Sequence, residues 1–546
     1  MKLSANKQPV AYFCAEFGID NDLPTYSGGL GVLAGDTINA AADANFPMMG
    51  VGILFKGKSF IQHITNDGRE EKRDSEFDHD TSFLRPTTIK GKPLLIPIPS
   101  ESNKVFTKAY QIRLGENTIN YFLSTDVDGN PQDWISDMDA LYRGGVESLL
   151  RQQILLGVGG VKLLSILGIK PSIYHINEGR PSFAVWEIAR DTAQEKNISF
   201  KDAWEEAQNR IVYTNHTLVS AGNLNFPKES VLYWAKLFVE KNNINVDPEF
   251  LISKGLVDNS FDTTLYSLNI SKKQSAVSKV HTKYAKKQWP AFNWITVTNG
   301  IHLPRWQDSD FRRSDFSDIE LWNLHTLKKR ELVDTVVKRT GFGYDPEKLV
   351  ISWARRLAEY KQPRSIFADL NKLKTIITNH ERPVQILFAG NSHSADPNAK
   401  SIIEEIIKIF ATELAGSAIF IPNYNISLAN HLVSGSDLWL NTPKGDLEAC
   451  GTSGMKAISN GVLNCTVIDG WTHEVSWDRI GWTLNPKSVG ESFYEILENE
   501  IVPLYYDRNR NGIPEKWINR MRKSIDIAND FSAEKMVEQY QKKLYS

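Results

Sequence analysis

Residues 448–456 read Glu448-Ala449-Cys450-Gly451-Thr452-Ser453-Gly454-Met455-Lys456, and they carry more information than any other part of the chain. The Gly-Thr-Ser-Gly turn offers successive backbone N–H groups that can hold an anion. Lys456 follows Gly451 by five residues, so its amine can reach a carbonyl group while the turn holds a phosphate. Runs typical of strands flank the segment at Leu438–Asn441 and Thr466–Ile468. The sequence therefore predicts an anion site between two strands of an α/β domain.

The same alternation of short apolar runs and helical patterns recurs along the chain, and it indicates an α/β fold. The other predicted strands are Val10–Glu16, Ser172–Asn177, Ile211–Asn215, Trp294–Thr298, Leu349–Trp353, Val384–Phe388 and Ala418–Ile421. Helices are predicted at Gly145–Leu156, Pro181–Asp191, Ala203–Arg210 and Glu495–Tyr505.

The domain organisation follows from length and from one change of pattern. A chain of 546 residues is too long for one ordinary core. Strand patterns stop at residues 305–344, which are polar and charged and are predicted to be a linker. We expect Rossmann-like domains at 1–304 and 345–525, facing a central cleft. Residues 526–546 show helical spacing and predict a closing amphipathic helix.

Composition excludes several classes of protein. The net charge of −2 gives no basic excess for nucleic acid. The three cysteines, Cys14, Cys450 and Cys465, are too few and too scattered for a disulfide framework or a metal site, which favours a reducing cytoplasm. The N-terminus lacks the apolar core of a signal peptide, and no uninterrupted apolar run is long enough to span a bilayer. We therefore expect a cytoplasmic protein without a membrane partner.

Two further segments favour anion binding. Arg355, Arg356 and Lys361 follow the predicted strand Leu349–Trp353, so three cations leave one strand end together. Near the N-terminus, Tyr26-Ser-Gly-Gly-Leu-Gly31 has glycines placed for close backbone approach to a phosphate, but it is not a dinucleotide fingerprint.

Residues 446–469 resemble the cofactor segment of the α-glucan phosphorylases, and at least five further blocks resemble that family in the same order. The resemblance implies a two-domain glycosyltransferase fold of the GT-B type and phosphorolysis of α-1,4-glucan ends by inorganic phosphate to α-glucose 1-phosphate. It also implies pyridoxal 5'-phosphate held covalently by Lys456. The cofactor's other expected contacts are Gly451, Thr452, Ser453, Arg355 and Tyr424. A homodimer is compatible with this reading.

The resemblance also implies roles in substrate binding. Arg356 and Lys361 would act on the substrate phosphate, together with the backbone of Gly28 and Gly29. At about 5 Å and an effective dielectric near 20, two dianions repel by ~13 kcal/mol, which explains why cations gather there. The expected sugar contacts are Tyr360, His216, Asn299, Glu448 and Cys450.

The chain departs from the family pattern beside the predicted sugar pocket. In Asn177-Glu178-Gly179-Arg180 an arginine stands where the family carries histidine, and Cys450 replaces the usual serine. We expect Glu178 and Arg180 to line the pocket, and Arg180 to affect glucans of different length unequally. The chain is shorter than well-known family members, so allosteric control is not expected.

Two alternatives remain open. A nucleotide-sugar glucosyltransferase resembling glycogen synthase shares part of the glycine loop and of the Glu-x-Cys-Gly segment, although the Gly-Thr-Ser-Gly turn and Lys456 speak against it. A glucan-binding protein inactivated through Arg180 is disfavoured by the retained phosphate cations.

Overall fold

A computed structural model describes residues 8–58, 60–75, 77, 83–101, 105–218, 223–313, 315–392, 396–445 and 447–546. The chain divides into two compact units. Unit 1 comprises the described residues within Met1–Lys58, Asp74–Thr298 and Met536–Ser546. Unit 2 comprises those within Ser59–Arg73 and Asn299–Lys535.

The strands of the described residues follow in chain order. They are β1 Val10–Cys14, β2 Met48–Ile53, β3 Ile61–Ile64, β4 Glu70–Arg73, β5 Arg85–Pro86, β6 Thr88–Ile89, β7 Lys92–Pro93, β8 Leu95–Pro97, β9 Phe106–Arg113, β10 Thr118–Ser124, β11 Ile173–Asn177, β12 Ile211–Asn215, β13 Asn225–Pro227, β14 Leu256–Val257, β15 Ser260–Asp262, β16 Lys273–Ala276, β17 Trp294–Thr296, β18 Leu349–Ala354, β19 Val384–Ala389, β20 Ala418–Ile421, β21 Leu438–Asn441, β22 Leu463–Val467 and β23 Gly481–Leu484.

The α-helices of the same residues follow in the same way. They are α1 Gly29–Asp43, α2 Gln132–Ser136, α3 Val146–Ile154, α4 Gly160–Ile166, α5 Ala184–Lys196, α6 Phe200–Gln208, α7 Lys228–Lys241, α8 Pro248–Ile252, α9 Thr263–Ile270, α10 Lys279–Gln288, α11 Leu303–Trp306, α12 Asp318–Thr340, α13 Leu370–Ile377, α14 Pro397–Ala411, α15 Ile426–Gly435, α16 Ser453–Ser459, α17 Val489–Ile496, α18 Val502–Tyr506, α19 Glu515–Ala528 and α20 Ala533–Lys543.

Unit 1 is built on a ten-stranded sheet in the order β17-β16-β12-β11-β1-β2-β10-β9-β5, with β8 also paired to β9. The strands from β17 to β10 are parallel, and β9, β5 and β8 add an antiparallel edge. Counted along the chain, the parallel strands follow the doubly wound order 3-2-1-4-5-6-7. The order reverses between β1 and β11, where ligands of such folds collect beyond the strand ends.

Unit 2 repeats this topology in a six-stranded parallel sheet, ordered β20-β19-β18-β21-β22-β23. Its chain order is 3-2-1-4-5-6, and the reversal falls between β18 and β21. Every residue of β18 is buried, as expected where helices cover both faces of a parallel sheet. Two sheets of this kind confirm the predicted α/β fold with two Rossmann-like domains.

Among the described residues, one helical stretch is long and apolar enough to span a membrane by length and composition. It is Val146–Ile166, in which a π-helical turn at Leu155–Gly159 joins α3 to α4. The sequence predicted no such run, because Arg151 and Lys162 interrupt it. Within the structure 72% of its most apolar window is buried. Leu150, Ile154 and Leu164 belong to the core of unit 1, which accounts for its apolar character.

The units differ from the boundaries expected from the sequence. The predicted linker 305–344 contains α12, a 23-residue helix of unit 2. Ser317 and Glu320 form a capping box at its start. The charges of this region belong to an amphipathic helix whose buried Lys329 pairs with Asp437, so they do not mark a domain boundary. Within the predicted closing helix 526–546, α19 ends at Ala528 and α20 covers Ala533–Lys543, whose residues from Met536 onward belong to unit 1.

Candidate active site

The reversal point of unit 2 brings the predicted cations to a carboxylate. Arg355 and Lys361 follow β18, and Glu448 follows β21, the neighbouring strand. Nζ of Lys361 donates a hydrogen bond to Oε2 of Glu448, and Nη2 of Arg355 lies 3.4 Å from the same oxygen. The doubly wound order therefore assembles these side chains at the edge where such sheets bind ligands.

Glu448 is held in its ionised form. Burial raises the pKa of its carboxyl group, but the charges of Lys361 and Arg355 outweigh burial and lower the pKa below its ordinary value. The backbone N–H of Glu448 donates to Oδ2 of Asp469 at 2.8 Å. The carboxylate is therefore a fixed acceptor that can bind cations or hydroxyl groups.

The guanidinium group of Arg355 can donate further hydrogen bonds. Among the described residues, its buried Nε and Nη1 have no hydrogen-bond partner, and the side chain is only 9% exposed. A Cβ at Gly451 would lie 3.0 Å from Nη2 of Arg355, so the anion turn approaches this guanidinium closely. Buried donors without a partner are costly unless a ligand satisfies them.

Lys456 lies in α16, beyond the turn, and is 8% exposed. Its Nζ lies 3.6 Å from the ring centroid of Trp306, which is within cation–π distance. Gly454 has no room for a side chain, because a Cβ there would lie 2.7 Å from Oδ1 of Asn464. The glycine of the turn therefore allows α16 to pack directly against β22.

The other predicted residues of unit 2 lie on neighbouring loops. Nζ of Lys361 is 4.7 Å from the ring centroid of Tyr360. Arg356 is exposed. The amide of Asn299 lies 3.5 Å from the carbonyl oxygen of Cys450, a weak contact. The carbonyl of Tyr424 accepts a hydrogen bond from the Asn391 amide at 2.8 Å.

In unit 1 the predicted sugar contacts lie at the ends of β11 and β12. Nε2 of His216 is hydrogen-bonded to Oδ1 of Asn177, and the backbone N–H of His216 donates to Oε1 of Glu178. Burial raises the pKa of Glu178 to about 7 and lowers the pKa of His216 to about 3. His216 is therefore neutral near pH 7 and offers a hydrogen bond without a charge.

The glycine loop of unit 1 contacts a residue that the sequence did not single out. The N–H groups of Ser27 and Gly28 donate to Oε2 of Glu16 at 2.8 and 3.2 Å. The hydroxyl group of Tyr142 donates to Oε1 of the same carboxylate. Gly29 begins α1, and a Cβ there would meet nothing within 4 Å. The N–H group of Gly28 is thus hydrogen-bonded to Glu16, and Gly29 is the more exposed of the two glycines.

Arg180 also joins this group. Its guanidinium carbon lies 4.3 Å from the ring centroid of Tyr142. Sequence reasoning missed Glu16, Tyr142 and Trp306 as site residues. The sequence offered one signal for Glu16, which is a carboxylate two residues after the end of the buried strand β1.

This chain is similar to several known proteins. The carbohydrate phosphorylase family model matches residues 294–482. The chain is 34% identical to the maltodextrin phosphorylase of Thermococcus litoralis, over 99% of this chain and 71% of that protein. It is also 34% identical to the glycogen phosphorylase of Aquifex aeolicus, over 99% of this chain and 86% of that protein. The glycogen phosphorylase of Mycobacterium tuberculosis is 28% identical over 98% and 70%. These similarities confirm the resemblance seen in the sequence, and the chain belongs to the carbohydrate phosphorylase family.

Proposed function

We propose that this chain is an α-glucan phosphorylase, which uses inorganic phosphate to cleave the α-1,4 bond at a non-reducing glucan end and releases α-glucose 1-phosphate. The observation that carries the proposal is the cluster of Arg355, Lys361 and Glu448 beside the anion turn. It combines cations for phosphate with a fixed carboxylate for sugar hydroxyl groups.

The residues of unit 2 fit pyridoxal 5'-phosphate. Lys456 supplies a buried amine for covalent attachment. Arg355, whose Nε and Nη1 have no hydrogen-bond partner among the described residues, lies beside the turn at Gly451 that would hold the cofactor's phosphate. Tyr424 is a further expected contact. When bound, the cofactor would supply a phosphate group that supports proton transfer near the substrate phosphate.

The chain's own residues then bind and orient the reactants. Arg356 and Lys361 hold the substrate phosphate, and Glu448 accepts hydrogen bonds from sugar hydroxyl groups. In the reaction, the substrate phosphate gives its proton to the glycosidic oxygen, the bond from that oxygen to the anomeric carbon breaks, and a phosphate oxygen bonds to the same carbon. His216 and Asn299 are assigned to the glucose 6-hydroxyl, where a neutral imidazole forms a hydrogen bond and adds no charge.

The first experiment separates this proposal from a nucleotide-sugar transferase. Purified protein should show the absorption of bound pyridoxal phosphate, and borohydride reduction followed by peptide mapping should place the label on Lys456. The Lys444→Ala variant is the matched control, because it removes an exposed lysine that precedes the same turn. This variant should still carry the label on Lys456. A label on another lysine, or none, would refute the cofactor assignment.

The second experiment tests the reaction itself. Maltooligosaccharides and phosphate should yield glucose 1-phosphate, and nucleotide sugars should not serve as donors. An absence of phosphorolysis with the cofactor bound would favour the inactive glucan binder.

We also propose a cytoplasmic location and a homodimer. Cys14, Cys450 and Cys465 are free and buried, which suits a reducing compartment. Cell fractionation and the mass measured by light scattering test the two statements separately.

A further inference from the structure

We propose that Arg180 is a positioning residue for the glycine loop, and that it acts through Tyr142 and Glu16 without contacting the glucan. In this chain Arg180 stands where the family pattern has histidine. The part of this inference that concerns phosphate rests on the proposed function, whereas the part that concerns loop order does not.

The first link joins Arg180 to Tyr142. The guanidinium carbon lies 4.3 Å from the tyrosine ring centroid, well inside the range of cation–π attraction. Tyr142 has a φ of 61°, a left-handed conformation that non-glycine residues rarely adopt. Such a backbone persists only where its surroundings hold it. Arg180 is one of the groups that hold Tyr142 in place.

The second link joins Tyr142 to Glu16. Burial and the Glu16 charge raise the pKa of Tyr142 well above its ordinary value. The hydroxyl group therefore stays protonated and donates to the carboxylate. Glu16 is 3% exposed, so the hydrogen bonds it makes are shielded from water.

The third link joins Glu16 to the loop. Its Oε2 accepts the N–H groups of Ser27 and Gly28, and this fixes the chain directly before α1. At Gly31 a Cβ would lie 2.8 Å from Cβ of Glu16 and 2.6 Å from Cβ of Tyr26, so the loop packs against Glu16 without a gap. The direction of the Gly29 N–H therefore depends on where Glu16 is held.

The carboxylate closest to Arg180 in sequence forms its hydrogen bonds with other groups. Glu178 accepts the backbone N–H of His216 and lies 3.4 Å from the hydroxyl group of Tyr213. Arg180 contacts the ring of Tyr142, and its charge also acts on the carboxylates of Glu16 and Glu178. Its coupling to the loop therefore runs through Tyr142 and Glu16, across the reversal point between β1 and β11.

The experiment uses the full-length protein with cofactor and compares Arg180→Gln, Arg180→Lys and Tyr142→Phe. Hydrogen exchange followed by mass spectrometry on the peptide covering residues 25–31 should become about tenfold faster in Arg180→Gln and Tyr142→Phe, the size expected for loss of a desolvated cation–π contact or a shielded hydrogen bond. Arg180→Lys keeps the cation and should restore most of the protection.

Steady-state kinetics supply the second measurement. The KM for phosphate should rise about tenfold in Arg180→Gln, with kcat changed less than about twofold and the ratio of activities on short and long maltooligosaccharides unchanged. Arg210→Gln is the matched control, because Arg210 lies over the Tyr174 ring at 5.2 Å, before β12 at the opposite strand ends. It should alter neither measurement.

Three outcomes would overturn the inference. The first is hydrogen exchange of the loop at the wild-type rate in both Arg180→Gln and Tyr142→Phe. The second is an effect in Arg210→Gln equal to that in Arg180→Gln. The third is a changed ratio of activities on short and long maltooligosaccharides in Arg180→Gln with an unchanged KM for phosphate, and each of the three is sufficient alone. If the unaltered protein shows no phosphorolysis, the proposed function fails, and the exchange measurement still decides the role of Arg180.

Discussion

Lys361 and Glu448 are 87 residues apart in the sequence, yet Nζ of Lys361 donates directly to the Glu448 carboxylate. The two side chains are 9% and 14% exposed, so water screens their attraction weakly. The cation proposed for phosphate is therefore held by the carboxylate proposed for sugar. Binding of both substrates would give each side chain a new partner, and this relationship leads to two predictions.

The first prediction concerns phosphate. Replacement of Lys361 or Arg356 by Ala should lower phosphate-dependent turnover by about a hundredfold or more, equivalent to ~3 kcal/mol of transition-state stabilisation. The control is Arg364→Ala, since Arg364 pairs with Glu359 and Glu405 at the surface three residues beyond Lys361. Initial rates at saturating glucan are the measurement, and near-normal turnover in either variant contradicts the assignment.

The second prediction concerns the charge of Glu448. Its pKa is lowered because Lys361 and Arg355 outweigh burial. The stability it adds is present above the unfolded pKa of about 4.3 and is lost as pH falls through the lower folded value. Glu448→Gln should therefore lower the melting temperature at neutral pH, with a difference that shrinks in acid. A difference independent of pH would show that shape, and not charge, is responsible.

The sequence predicted several of the fully buried strands, but it missed β10, in which every residue is buried and Asn120 interrupts the apolar run. Leu438–Asn441 and Ile211–Asn215 match the observed strands at both ends, because parallel strands covered on both faces are continuous apolar runs. The pattern failed for β9 at the antiparallel edge, where the buried Thr107, Ala109 and Ile112 are separated by partly buried residues. It also failed for α12, because a charged helix looks like a linker when its buried ion pair is unknown.

Residues of the candidate site could be predicted only where one short segment contains both the reactive side chain and the turn that would bind the anion beside it. The turn at 451–454 and Lys456 are of this kind. Glu16 and Arg180 follow β1 and β11, which are neighbours only in the sheet, and Tyr142 comes from the segment between α2 and α3. The three residues were therefore not predicted as a group. The pairing of Lys361 with Glu448 depends in the same way on the neighbouring positions of β18 and β21.

The third prediction concerns a buried ion pair outside the site. Asp437 is fully buried and accepts from Lys329 at 2.6 Å and from the Val350 N–H at 2.7 Å. Asp437→Asn leaves the Lys329 charge buried without a counterion, which costs about 3 to 5 kcal/mol. Denaturant unfolding of unit 2 should report this loss. Asp315→Asn, which removes one of the two acidic partners of Arg313 at the surface, should change little.

The last prediction concerns Glu178, whose pKa burial raises to about 7 against the hydrogen bonds from His216, Tyr213 and Gly179. Between about pH 4.3 and pH 7 the folded protein binds this proton more tightly than the unfolded chain does, so stability falls as pH rises through that window. Glu178→Gln removes the ionisation and should be less sensitive to pH. Melting temperatures from about pH 5 to about pH 8 should therefore decline less in the variant than in the unaltered protein. Glu195→Gln is the control, because Lys170 lowers the pKa of Glu195 and places its titration below this window. Parallel declines in the unaltered protein and in Glu178→Gln would mean that another group causes the pH dependence, and that Glu178 is already ionised at pH 5.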